Sequence, residues 1–336
     1  MTLVDLSGYS FSGKSSVYDL LQGQDMFDSI SRYFEFELIR GPGGILELRE
    51  ATSGDNWSPV RSSEAIRRYL RLVWLLGGKR RFIDRLTRLG SHYDLFFPNF
   101  TKLSSQYVEK LLTTKWESTW PFEKYFHSDF RIVFEKVASR FGYKNTPEVY
   151  LTRLDRHKFD SYTKEYLDAL IESRSNTGNR LLLSNAFEPF QPEVGINLFS
   201  NAKCIVVDRD PRDIYLSAWL SAVGSGSRVG KAVIGDSVND FVKRFLIYRG
   251  AINPNEDNTN VLRITFEELV NNFDSICRSL CDFLELNDVG IDVNKSDFDP
   301  DVSISRVSMW EHQADRDLLL SISFIEKELE EYLHTN

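Results

Sequence analysis

Cysteine is scarce in this chain, with only Cys204, Cys277 and Cys281 among 336 residues. An odd number without paired spacing excludes a disulfide framework and offers no zinc pattern. Cys277 and Cys281, four residues apart, are expected on one buried helix face. No spacing of His, Cys or carboxylates suggests a metal site, so no metal is expected. Positive charge is also short: 41 Lys and Arg against 49 Asp and Glu give a net charge of −8, which argues against a protein that coats nucleic acid. No apolar run reaches the roughly 18 to 20 residues of a membrane span. The first strand is expected from about residue 2, leaving no room for a signal peptide, and a cytoplasmic protein is expected. Internal repeats and low-complexity segments are absent.

With 42% hydrophobic residues, the chain has the means to bury a large core. Behind the apolar run Leu3-Val4-Asp5-Leu6, residues 8 to 15 read Gly-Tyr-Ser-Phe-Ser-Gly-Lys-Ser, the full G-x-x-x-x-G-K-[ST] pattern of a phosphate-binding loop. Its glycines let successive N–H groups turn toward phosphate oxygens. Lys14 adds a point charge, and the helix expected from about Ser15 presents its positive end. Strand character returns at Arg180 to Ser184, Cys204 to Val207 and Val261 to Thr265, each followed by helical sequence. Strands alternating with helices predict an α/β fold, with a central parallel sheet covered on both faces. Ligands in such sheets lie beyond the carboxyl ends of the strands.

Tyr33 to Ile39 alternates Phe34, Phe36 and Leu38 against Glu35, Glu37 and Ile39, as a strand would, before Gly41-Pro42-Gly43-Gly44 breaks the chain. From Ser62 to about Phe141 the pattern is mainly helical, with Ile66, Tyr69, Leu70 and Val73 three and four apart. We read one domain over residues 1–336, carrying a helical insertion or lid at about 60–160.

The strand at Cys204 runs into Asp208-Arg209-Asp210-Pro211-Arg212-Asp213-Ile214-Tyr215-Leu216-Ser217. Asp210 suits an N-cap, Pro211 the first helical position, and Asp213 a capping-box carboxylate reaching back. Arg209 at the strand end and Ser217 two turns down the helix are placed to close on one anion.

This stretch resembles the sulfotransferases that use 3′-phosphoadenosine 5′-phosphosulfate (PAPS), whose second cofactor motif reads R-[DN]-P-x-D-x-x-x-S. Arg209, Asp210, Pro211, Asp213 and Ser217 match it. The segments Val261 to Val270 and Cys281 to Leu286 are similar to further family patterns, and Ser305 to Trp310 resembles the loop that closes over the cofactor. The resemblance implies a P-loop-type three-layer fold and a sulfuryl transfer that leaves 3′,5′-adenosine bisphosphate (PAP). It implies cofactor contacts from Ser10, Phe11, Ser12, Gly13, Lys14, Ser15 and Ser16, and 3′-phosphate contacts from Arg209, Ser217 and Arg306. Two departures stand out: Lys14 occupies a position where the family commonly has a hydroxyl, and Asn185 to Pro189 lacks the family's K-x-P lysine. Lys14 is inferred to neutralise charge on the departing 5′-phosphate.

The base that takes the acceptor's proton is sought among Glu35, Glu37 and His92, with Glu35 ahead because flanking phenylalanines would raise a buried carboxylate's pKa. Arg40, Trp57 and Arg61 are the candidate acceptor contacts. Trp57 would stack on a sugar face or merely anchor its loop. Arg61, Arg67, Arg68, Arg71, Lys79, Arg80, Arg81, Arg85 and Arg88 face only Glu64 and Asp84. Such a cluster would meet an acidic glycan or an anionic membrane surface, or simply be a solvated face. The expected acceptor is a carbohydrate hydroxyl on a cell-surface polysaccharide or its precursor. Two other readings stay open. One is a Mg-ATP kinase of a sugar or small molecule in which Ser15 and Asp208 hold the metal. The other is a non-catalytic nucleotide-binding member of a glycan-assembly complex.

Overall fold

The computed structural model describes residues 1–31, 33–77, 92–118, 120, 137, 140, 147–174, 180–253, 259–286 and 290–334. Its strands are β1 (Thr2–Gly8), β2 (Phe27–Ser29), β3 (Thr114–Glu117), β4 (Glu148–Leu151), β5 (Arg180–Ser184), β6 (Ala202–Asp208) and β7 (Val261–Thr265). The chain divides into two compact units, one of residues 1–37 and 175–336, the other of residues 38–174.

The first unit is built on a five-stranded sheet ordered β2-β5-β1-β6-β7, with every pair parallel. β1 pairs Leu3 to Leu181 and Ala202, and Leu6 to Ser184 and Ile205, so β5 stops opposite Leu6 while β1 and β6 run on to Gly8 and Asp208. Parallel strands lie inside the layers that cover them and therefore read as continuous apolar runs. Leu3, Val4 and Leu6 of β1, Leu181, Leu182 and Leu183 of β5, and Cys204 to Val207 of β6 are all buried. Val4, Leu6, Leu182, Ile205 and Val207 share one cluster with Val17 and Leu20 of the helix Lys14–Leu21 and with Phe266, Leu269 and Leu280. A second cluster joins Ile214 and Leu216 of the helix Pro211–Ser225 to Phe241, Met309, Ile322 and Ile325. This is the α/β architecture with a central parallel sheet that the sequence predicts.

The second unit is mainly helical. Pro59–Gly77, Phe100–Leu111 and Arg156–Glu172 turn their apolar stripes inward, burying Ile66, Tyr69, Tyr107, Phe159 and Tyr166. Tyr107 stacks on Tyr166 at 4.6 Å between ring centroids. Two hydroxyl pairs close the layer: Tyr107 with Thr163 at 2.7 Å, and Ser104 with Tyr166 at 2.6 Å. β3 and β4 form an antiparallel pair beside these helices that the helical pattern does not predict. All four residues of β3 are exposed, so it carries no burial alternation to read.

Two local expectations fail. Tyr33 to Ile39 is not a strand but a run of turns and extended backbone. β2 occupies the edge of β5, and the Phe36 N–H donates to the Ser184 carbonyl at the end of that strand at 3.1 Å. Phe34 and Phe36 are buried because this segment crosses the sheet's end, not because it joins the sheet. Cys277 and Cys281 do share the helix Phe273–Leu284 but are only half-buried, packing at the margin of the first cluster.

Because Ile205 is fully buried between β1 and β7, the Ile205→Ala substitution is expected to cost about 2–5 kcal/mol. Urea denaturation followed by far-UV circular dichroism measures this; a loss within error of zero would contradict the packing described.

Candidate functional site

The phosphate-binding loop lies between β1 and the helix Lys14–Leu21, where the sequence pattern puts it. Phe11 and Gly13 both take the left-handed conformation, with φ of 65° and 83°. Glycine suits the second position doubly, because a Cβ on Gly13 would lie 2.5 Å from the Phe266 ring. A Cβ on Gly8 would lie 2.6 Å from the Ser12 hydroxyl. Ser12 is buried and its hydroxyl has no hydrogen-bond partner. A polar atom orphaned in that way inside an anion-type loop is what a phosphate oxygen would satisfy. Ser10 and Ser15 are exposed, whereas Lys14 and Ser16 are half-buried.

Lys14 Nζ donates to the hydroxyl of Ser184, the last residue of β5. Asn185 follows in the left-handed conformation, and its side-chain amide donates to Glu35 Oε1 at 2.7 Å. That turn is held from beneath by Asp5, a fully buried carboxylate in the middle of β1. Asp5 accepts from the Ala186 N–H at 2.8 Å, the Phe187 N–H at 3.2 Å and the Ser7 hydroxyl at 2.5 Å. Burial pushes the Asp5 pKa up; these hydrogen bonds and the charge of Lys14 oppose the rise.

At the end of β6, Arg209 is almost wholly buried. It donates through Nη1 to the Ser217 hydroxyl at 3.1 Å and to the Phe11 carbonyl at 3.2 Å, and through Nη2 to the Arg306 carbonyl. Its guanidinium lies 4.9 Å from the centre of the Phe266 ring, and its Nε has no partner. Burial pulls the Arg209 pKa down, while Asp213 and Glu267 raise it. The sequence motif thus brings Arg209 and Ser217 together beside the phosphate-binding loop. The Arg306 side chain is exposed, on a segment whose backbone meets Arg209.

The local turn departs from expectation at Asp213. Asp210 is the N-cap, accepting from the Arg212 N–H, and Pro211 opens the helix. Asp213 does not reach back to the Asp210 N–H, because Glu267 Oε1 accepts from that group at 3.0 Å. Instead, fully buried Asp213 accepts from the Trp310 N–H at 3.2 Å. Burial pushes its carboxyl up to about 6 against the opposing pull of Arg209. Glu267 lies in the Val261 to Val270 segment that resembles the family pattern, but the sequence assigns it no role.

Glu35 is exposed, without the burial that singled it out, and Glu37 is half-buried. His92, Arg40, Trp57 and Arg61 belong to the helical unit. His92 precedes the short helix Tyr93–Phe96 in the left-handed conformation, and Arg40 is half-buried. The Trp57 indole N–H donates to the Thr152 carbonyl at 2.8 Å and its ring lies 5.2 Å from the Arg153 guanidinium, so Trp57 fastens its own loop. Arg61 is exposed, Arg67 donates to the Glu148 carbonyl, and Arg68 pairs with Glu64. Lys79, Arg80, Arg81, Arg85 and Arg88 lie outside the described residues. Among the described residues no cluster of His, Cys, Asp and Glu is arranged to hold a metal, and no helix is long and apolar enough to cross a membrane. Asp208, the metal holder of the kinase reading, accepts instead from the Arg209 N–H at 2.7 Å and from the Arg249 guanidinium.

No curated protein matches the sequence significantly. Among solved structures, the chain is similar to the sulfotransferase domain from the curacin biosynthetic pathway, at 16% identity and a TM-score of 0.34, covering 98% of this chain and 97% of that one. It is also similar to the sulfotransferase domain from the Synechococcus PCC 7002 olefin synthase, at 14% identity and a TM-score of 0.38, covering 96% and 94%. Retinol dehydratase in complex with androsterone and inactive cofactor PAP matches at 12% identity and a TM-score of 0.33, covering 99% and 82%. Superpositions at these scores carry no weight of their own. The sequence itself, by contrast, matches the model of the sulfotransferase family over residues 105–289, more than half of its length. That span takes in the turn from Arg209 to Ser217 and the strand and helices from Val261 to Leu286, and the chain belongs to the sulfotransferase family.

Proposed function

We propose that the chain moves the sulfuryl group of PAPS to a hydroxyl of a carbohydrate acceptor, such as a unit of a cell-surface polysaccharide or its precursor. The observation that carries the PAPS reading is the 3.1 Å contact of Arg209 with Ser217 beside the Phe11 carbonyl. Two anion-binding turns at the ends of adjacent parallel strands suit a nucleotide with phosphates on both sides of its ribose. Arg209, Ser217 and Arg306 would hold the 3′-phosphate. The loop from Ser10 to Ser16 would hold the 5′ end, with the orphaned Ser12 hydroxyl inside it.

PAPS supplies the sulfuryl group, and the chain's residues supply alignment and charge. Lys14 would neutralise the negative charge that develops on the bridging oxygen of the departing 5′-phosphate. The acceptor oxygen attacks sulfur from the opposite side, and its proton passes to a carboxylate. Glu35 is our choice for that carboxylate. It is bonded to Asn185, the residue after the Ser184 that receives Lys14, so one short turn joins the proposed base to the proposed cation. His92 belongs to the other unit. Arg61, Arg68 and Arg71 are exposed along Pro59–Gly77 of the helical unit, a face that would suit an acidic glycan.

PAP without metal is expected to raise Tm, since a ligand that binds only the native state stabilises it by mass action. Differential scanning fluorimetry that finds a shift with Mg-ATP and none with PAP would discard the PAPS reading. Arg209→Ala is expected to weaken PAP binding by roughly tenfold or more, measured by isothermal titration calorimetry. Glu35→Gln is expected to leave PAP binding unchanged and to lower kcat by about 10²-fold or more; unchanged turnover removes Glu35 from the mechanism. A PAP-release assay across oligosaccharides and simple phenols tests the acceptor, and turnover with phenols alone would overturn the carbohydrate assignment.

A further inference from the structure

We propose that Asp213 is a positioning residue for the 3′-phosphate subsite, drawing Arg209 and the segment that carries Arg306 into one anion-binding frame. The proposal rests on the PAPS reading and adds to it a residue that does not itself touch the ligand.

An aspartate in the first turn of a helix ordinarily serves that helix, either by capping its free N–H groups or by answering its dipole. Asp213 is relieved of the capping task, since Glu267 takes the Asp210 N–H and the Asp210 carboxylate takes the Arg212 N–H. Its Oδ1 accepts from the Trp310 N–H at 3.2 Å, ninety-seven residues along the chain. Its Oδ2 lies 3.7 Å from Arg209 Nη2 and has no hydrogen bond. One carboxylate therefore addresses both partners, one oxygen to each.

The segment from Arg306 to Trp310 is drawn onto the same spot by further contacts. Arg209 Nη2 donates to the Arg306 carbonyl. The buried thioether of Met309 lies 3.4 Å from both Arg209 Nη2 and the Ser217 hydroxyl. The Arg212 guanidinium lies 4.2 Å from the centre of the Trp310 ring, and Ser308 turns the chain in the left-handed conformation. A fully buried carboxylate is costly unless charge and hydrogen bonds answer it. Here the answering groups are Arg209, which the proposed function assigns to the phosphate, and the backbone two residues beyond Met309's neighbour Ser308. Holding a planar guanidinium and a loop in the bound arrangement before the ligand arrives reduces the ordering cost of binding. The carboxylate also sets a limit, because its negative charge would repel a phosphate that came too close.

The test compares PAP with adenosine 5′-monophosphate, which lacks the 3′-phosphate, on the full chain and its Asp213→Asn variant by isothermal titration calorimetry. The near-isosteric substitution keeps an acceptor for Trp310 and removes the charge. We expect Kd for PAP to rise by roughly tenfold or more, with Kd for the monophosphate unchanged. Equal weakening of both nucleotides, unchanged PAP binding or tighter PAP binding would each overturn the role of Asp213. If the wild-type chain binds both nucleotides alike, the 3′-phosphate subsite itself is refuted, and this proposal with it. Should the variant not fold, hydrogen exchange on the wild type decides: PAP, but not the monophosphate, should slow exchange at the Trp310 amide, and no difference overturns the proposal.

Discussion

The sheet unit depends on the parallel pairing of β1 with β5 on one side and β6 on the other. Parallel strands side by side deliver their carboxyl ends to one edge, so residues that leave them meet although they are far apart in sequence. Lys14 follows β1, Ser184 ends β5 and Arg209 follows β6. The register sets these ends in steps, with Ser184 and Ile205 opposite Leu6 while β1 and β6 continue to Gly8 and Asp208. A one-residue slip would turn every side chain on a strand to the opposite face. It would also draw Asp5 away from the backbone groups of Ala186 and Phe187 that it holds.

On this edge charge is handled mainly by burial. Arg209, Arg212 and Arg249 are all buried, and each is answered by carboxylates that are themselves partly or wholly enclosed. Arg212 grips Asp210 with two nitrogens at 2.9 and 2.7 Å and reaches Glu326 at 2.9 Å. Arg249 lies against Tyr9 and pairs with Asp208. Such pairs gain little net stability over apolar packing, yet removing one partner leaves an uncompensated charge. Their effect here is geometric, since they fix a turn whose exposed neighbours would otherwise be free to move. Arg209 keeps an unpartnered Nε and Arg249 an unpartnered Nη1, and Arg209 also lies against an Asp213 oxygen with no hydrogen bond.

Much of this was legible in the sequence where local chemistry and tertiary placement agree. Short runs rich in apolar residues marked β1, β5, β6 and β7, and Asp210 with Pro211 marked the start of the helix after β6. The spacing of Arg209 and Ser217 also survived, because eight residues from a strand end span two helical turns. Elsewhere the local pattern was ambiguous. Alternating burial from Phe34 to Leu38 arises in a paired strand, but equally in a chain laid across a sheet's end. Asp213 had the spacing of a capping box, yet its partner was the Trp310 N–H, ninety-seven residues away, which no local rule could supply. Glu267 lay in a family-like segment without a role assigned to it, and Ser184 carried no pattern of its own. What assigns them is the meeting of strand ends, a property of the sheet and not of any one segment.

Phe266 bears on both turns at once. Its ring lies where a Cβ on Gly13 would fall, and the Arg209 guanidinium lies 4.9 Å from its centre. The side chain is thus a spacer whose thickness fixes the interval between the phosphate-binding loop and the arginine after β6. A smaller residue at 266 would remove the ring that a Cβ at 13 meets, while the φ of 83° would still call for glycine there, and it would let the loop and the arginine drift together. Positions 13, 209 and 266 are therefore one measuring device distributed over three segments, and none of them is free to vary alone.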